Sequence, residues 1–141
     1  MKSEIIAVGS EMLTPFRQDT NSLYLTEKLN EIGVSVAFKT IVGDRRKDMV
    51  GAIRNALART DIVIIMGGLG PTEDDLTREA VSEALSLSLR REAAQVAALH
   101  ARAQGDFAVS VVVDRGDRLQ GIGEEIMKHH FNLQRIDLQR H

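Results

Sequence analysis

At 141 residues, with 43% apolar and 27% charged side chains, the chain has the size and make-up of one folded domain, not of a disordered or fibrous segment. Its net charge of -2 excludes a whole-molecule field that would draw in nucleic acid or anionic lipid. The absence of cysteine excludes disulfides and thiolate chemistry, and no leader or membrane-spanning run is evident, so a single cytoplasmic domain is the expectation.

In chain order, the hydrophobic period alternates between strand and helix. "EIIAV" (4–8) is a short apolar run closed by Gly9 and reads as a buried strand. "TNSLYLTEKLNEIG" carries Leu25, Leu29 and Ile32 at helical spacing, with Gly33 placed as a stop. "VSVAFKTIV" (34–42) alternates and is rich in β-branched residues, as a strand should be. "RRKDMVGAIRNALART" sets Met49, Ile53 and Leu57 on one helical face. "DIVIIM" (61–66) is apolar throughout, which suits a central strand covered on both sides. "LTREAVSEALS" returns to helix, with Leu76, Ala80 and Ala84 on one side and Val81 and Leu85 beside them. Beyond residue 89 the periodicity predicts a helix over 90–105, a strand over 107–113, a glycine-weakened helix over 117–131 and a final edge strand in "NLQRIDLQRH".

The order β-α-β-α-β-α with short connections predicts an α/β fold with a mostly parallel sheet between helical layers. Residues 1–89 form its core, and 90–141 a divergent tail completing the sheet. Ligands of such sheets sit beyond the carboxyl ends of the strands. "GSE", "GD" (43–44) and "GGLGPTEDD" all fall there.

Gly67, Gly68 and Gly70 let the backbone turn sharply between strand and helix, and the free N–H groups of a helix starting near Asp75 to Thr77 favour an anion. The block is neither a Walker loop nor a GxGxxG fingerprint, and a tight turn without a ligand would use the same glycines. Glu73, Asp74 and Asp75 are more acid than helix capping requires, and they would repel a bare phosphate. A divalent cation, Mg²⁺ or Co²⁺, held by Asp74 and Asp75 would reconcile them with one, while Glu73 reads as solvated. Asp44 either caps the second helix or shares the ligand with Asp75, dividing acid/base and metal duties. Gly9 and Ser10 stand at the first strand's exit, where Ser10 could donate to a phosphate. Glu11 and Asn21 join them as candidates, although "DTN" reads equally well as a helix cap. His100, His129 and His130 lack metal-binding spacing, and the interrupted basic runs give nucleic-acid binding little support.

"EIIAVGSEML", "DTNSLYLTEKLNEIGVSVAFKTIVGD" and "IVIIMGGLGPTEDDLTREAVSEAL" together resemble the N-terminal domain of the competence/damage-inducible protein A (CinA) family, within the molybdopterin-binding-like group. The resemblance covers residues 3–89. It implies a three-layer α/β/α sandwich and two functional aspartates, matching Asp44 and Asp75, and it places Thr72 and Thr77 of the glycine-rich block among the ligand-binding positions. It further implies metal-dependent hydrolysis of the ADP-ribose pyrophosphate bond, or alternatively molybdopterin binding or adenylylation. A non-catalytic scaffold is the third reading. The expected partner is a nucleotide or pterin phosphate, without nucleic acid or membrane, in a homo-oligomer (dimer or trimer). The family's later Gly-Thr-Ala-Pro-Gly loop has no counterpart here, since proline stands only at 15 and 71, and 141 residues leave no room for its C-terminal amidase domain.

Overall fold

The structure, a computed structural model, describes residues 1–68, 73, 75–87, 110–114 and 133–137. Its elements are β1 (Lys2–Val8), a 3-10 turn (Ser10–Leu13), α1 (Thr20–Glu31), β2 (Ser35–Val42), α2 (Arg46–Arg59), β3 (Ile62–Met66), α3 (Thr77–Leu85), β4 (Ser110–Asp114) and β5 (Leu133–Asp137). The strands form one sheet in the order β2-β1-β3-β4-β5. β1 runs parallel to β2 and β3, and β5 parallel to β4, while β4 runs antiparallel to β3. A β-branched run such as 107–113 reads the same in either direction, so that one reversal carries no sequence signal.

Alternation along β1 and β3 builds two apolar layers. Ile5, Ala7, Ile62, Ile64 and Met66 pack with Leu25 and Leu29 of α1 on one face. Ile6, Val8, Val63 and Ile65 pack on the other with Met49, Ile53 and Leu57 of α2 and Ala80 and Val81 of α3. All five residues of β3 are buried, as expected of a strand with helices on both sides. The result is the helix–sheet–helix sandwich expected from the sequence.

The ends of α1 are set by local chemistry. Asp19 Oδ1 accepts from the backbone N–H of Ser22 at 2.9 Å and so satisfies a free donor of the first turn. At the other end Gly33 takes a φ of 78°, its N–H donates to Asn30 O at 3.1 Å, and Val34 N donates to Leu29 O at 2.9 Å, a Schellman closure. The helices expected over 90–105 and 117–131, with His100, His129 and His130, lie outside the described residues.

Candidate functional site

Because β1 sits between β2 and β3, the chain leaves β1 towards one face of the sheet and β3 towards the other. The carboxyl ends of β1 and β3 therefore flank a topological switch point, where an open α/β sheet leaves a crevice. The turn after β1 is tied to the turn after β2. Gly9 N donates to Val42 O at 2.9 Å, Ser10 N donates to Asp44 Oδ2 at 2.9 Å, and Asp44 N donates back to Ser10 Oγ at 3.2 Å. Gly43 permits this approach, since a Cβ there would stand 3.2 Å from Ser10 Oγ.

The turn after β3 closes against β1 in the same way. Gly67 and Gly68 adopt φ values of 86° and 64°, a left-handed region that side chains with a Cβ disfavour. A Cβ on Gly67 would stand 2.3 Å from Val8 O, and one on Gly68 would stand 2.3 Å from Thr77 Oγ1. Thr77, fully buried, donates its hydroxyl to Gly67 O at 2.8 Å and its N–H to Gly68 O at 3.1 Å. Packing of the turn against Val8 and Thr77 thus requires both glycines, with or without a ligand.

The structure brings together Gly9, Ser10, Asp44, Gly67, Gly68 and Thr77. Asp44 does not cap α2. That helix starts behind Arg45 without a side-chain cap, and the Asp44 carboxylate turns instead to the Ser10 N–H. Ser10 already accepts through its hydroxyl, and the Thr77 hydroxyl is used internally. The Glu11 carboxylate folds back over Gly9, within 2.7 Å of where a Cβ would stand. Asn21 is exposed in the first turn of α1, and the capping role in "DTN" falls to Asp19. Asp75 is half-buried two residues ahead of Thr77, and Glu73 is exposed. Gly70, Thr72 and Asp74 lie outside the described residues.

Among the described residues no group of three or more histidine, aspartate or glutamate side chains converges as a metal site. No helix among them is long and apolar enough to cross a membrane.

One charged site went unseen in the sequence because it lies inside an apolar run. Glu4 is fully buried near the amino end of β1, where Arg59 grips its carboxylate at 2.9 and 2.7 Å and Thr40 donates at 2.6 Å. The hydrogen bonds to Glu4 hold the Arg59 guanidinium above its ordinary range, and its charged plane stacks on Phe38 at 3.9 Å. A lone acid opening "EIIAV" was the available signal. The cluster stands at the opposite end of the sheet from the crevice and braces edge strand β2 against α2.

Residues 4–133 match the family described as "Probable molybdopterin binding domain". A CinA-like protein of Acidobacterium capsulatum is 71% identical over 103 residues, which is 73% of this chain and 25% of that protein. The chain thus spans about a quarter of the length of that relative. Among solved structures, CinA of Thermoplasma acidophilum superposes with a TM-score of 0.65 at 32% identity, covering 68% of this chain and 57% of that one. The molybdopterin biosynthesis enzyme MoaB of Thermus thermophilus gives 0.53 at 29% identity, covering 58% and 53%.

Proposed function

Because this chain belongs to the family described as "Probable molybdopterin binding domain", which it matches over residues 4–133, we propose that it binds a phosphorylated pterin or nucleotide in the crevice beyond β1 and β3. The observation that carries this reading is the gathering of three strand-end turns at the switch point, joined by the Ser10–Asp44 pair and by the contact of Gly67 with Val8. α3 follows the β3 turn and begins at Thr77, and a helix N-terminus at such a turn favours a ligand's phosphate.

The finer reading is cleavage of a phosphoanhydride in a nucleotide-sugar such as ADP-ribose, with Asp44 and Asp75 as the acidic groups. A divalent cation (Mg²⁺ or Co²⁺) would arrive with the ligand and be held largely by its phosphate oxygens, the manner of binding open to a site with few carboxylates. The kinship with MoaB favours a second reading, a module that binds or adenylylates molybdopterin.

A thermal-denaturation series with ADP-ribose and phosphorylated pterins, with and without cation, tests binding. A ligand at 100 times its dissociation constant is expected to stabilise the fold by about 2.7 kcal/mol. No shift with any of them would end the proposal. For the hydrolytic reading, Asp75→Asn at unchanged circular dichroism is expected to lose ADP-ribose turnover by about 100-fold or more. Parental rates in that variant would remove hydrolysis and leave binding.

A further inference from the structure

β2 (Ser35–Val42) forms one edge of the sheet, and among the described strands it pairs with β1 alone. Its register against β1 shifts between Ser3 and Glu4, where Ala37 bulges out, and pairing is regular from Phe38 to Val42. Val42 O accepts from Gly9 N at 2.9 Å, so the backbone of Val42 faces β1. Backbone groups alternate in direction along a strand. Phe38 and Thr40 therefore face β1 as well, and the N–H and C=O groups of Lys39 and Ile41 point to the open edge. Apolar side chains flank that edge on both faces of the sheet. Phe38, opposite Glu4, lies on the α2 face and is 39% exposed, while Ile41, opposite Ala7, lies on the α1 face and is 42% exposed. Leu13, 62% exposed, places Cδ1 3.5 Å from where a Cβ on Gly43 would stand and widens the second of these surfaces.

An open strand edge is a template for another strand, and this one is complementary to itself about a two-fold axis. With Thr40 on the axis, Lys39 of each copy opposes Ile41 of the other. The outward N–H and C=O groups of both residues are then all bonded, and each lysine stem lies along an isoleucine. Phe38 faces Val42 of the second copy, a member of the α2-side core, so that apolar layer continues across the axis. Lys39 is the only charged residue of β2, and it selects the register. With Lys39 on the axis two ammonium groups would meet, and with Ile41 on the axis Lys39 would oppose Gly43 and lose its packing.

We infer that two copies of the chain join edge to edge through antiparallel β2 strands, with Thr40 on the two-fold axis, into one continuous sheet. The inference is independent of the ligand reading above. So short a pairing belongs to the weak class of interfaces, with a dimer at about 300 µM chain and a monomer with an open β2 at about 5 µM.

Sedimentation velocity at those two concentrations and low salt tests it, the expected species being a monomer and a dimer and nothing larger. Ile41→Lys sets a lysine opposite Lys39 and is expected to weaken the dimer by about tenfold or more. Ile41→Glu removes the same exposed apolar side chain but sets a carboxylate opposite that lysine. Its dimer is expected to be about tenfold tighter than that of Ile41→Lys, a gap that narrows at about 1 M salt. In the parent chain, the amides of Lys39 and Ile41 are expected to exchange several-fold more slowly at the higher concentration, while that of Thr40, which faces β1, stays unchanged. A chain that remains monomeric at the higher concentration would overturn the inference and leave the edge to a strand of another protein. Assembly beyond a dimer, equal weakening by lysine and glutamate at position 41, or self-association that leaves the Lys39 and Ile41 amides unaffected would each overturn it too.

Discussion

Gly33, Gly67 and Gly68 all have positive φ, yet their surroundings differ. Nothing stands within 4 Å of a Cβ on Gly33, whereas a Cβ on Gly67 would meet the Val8 carbonyl at 2.3 Å. Gly33→Ala is therefore expected to cost only the left-handed backbone penalty, about 1–2 kcal/mol. Gly67→Ala adds a clash with main chain that cannot swing away and is expected to cost about 2–4 kcal/mol. Urea denaturation of the two variants compares them, and equal losses would mean that the β3 turn can move off β1. Thr77 offers a second residue-scale test, since its buried hydroxyl donates to Gly67 O. Thr77→Val keeps the shape but leaves that carbonyl short of a donor, with an expected loss of about 1–3 kcal/mol, and Thr77→Ser should recover most of it. A serine variant as weak as the valine variant would assign the effect to packing of the methyl group.

Among the elements, α1 shows local rules acting undisturbed: Asp19 begins it and Gly33 ends it. α2 shows the reverse. Asp44 lies just ahead of it and has the chemistry of a cap, but the neighbouring turn offers its carboxylate the Ser10 N–H. β1 and β2 are joined to α2 by the Glu4–Arg59 pair, whose acid is fully buried while the Arg59 side chain is 44% exposed. Removing the cation strands a buried carboxylate, so Arg59→Met is expected to destabilise the protein more than Lys28→Met, which breaks only the solvent-facing pair with Glu31. In a Glu4→Leu background the Arg59→Met loss should largely vanish, and a double-mutant cycle in urea reads that coupling. Additive losses would place the contribution of Arg59 in its stacking on Phe38 instead.

Across the whole molecule, stability is expected to grade from the centre of the sheet to its β2 edge. β3 pairs with β1 on one side and β4 on the other, and every one of its residues is buried, while most of β2 is exposed or half-exposed. Native-state hydrogen exchange should find the slowest amides in Ile62–Met66 and faster ones along Ser35–Val42, a ranking that would be reversed if β2 were covered by a stable partner. The alternation of strand and helix up to residue 89, the buried faces of α1, α2 and α3 and the collection of "GSE", "GD" and the Gly67–Gly68 turn at one end of the sheet could all be read from the sequence. Each depends on side-chain period or on residues a few positions apart, and that information is local. The polarity of β4, the reciprocal bonding of Ser10 and Asp44, the internal use of the Thr77 hydroxyl and the burial of Glu4 could not be read in this way. Each depends on groups 10 to 55 residues apart, or on the direction of a distant strand. By itself the sequence determined which segments fold into strands and helices and which turns gather at one end, because hydrophobic period and turn chemistry act within a few residues. Only the tertiary structure decided which polar groups face each other, because a hydrogen bond depends on where two groups meet in space.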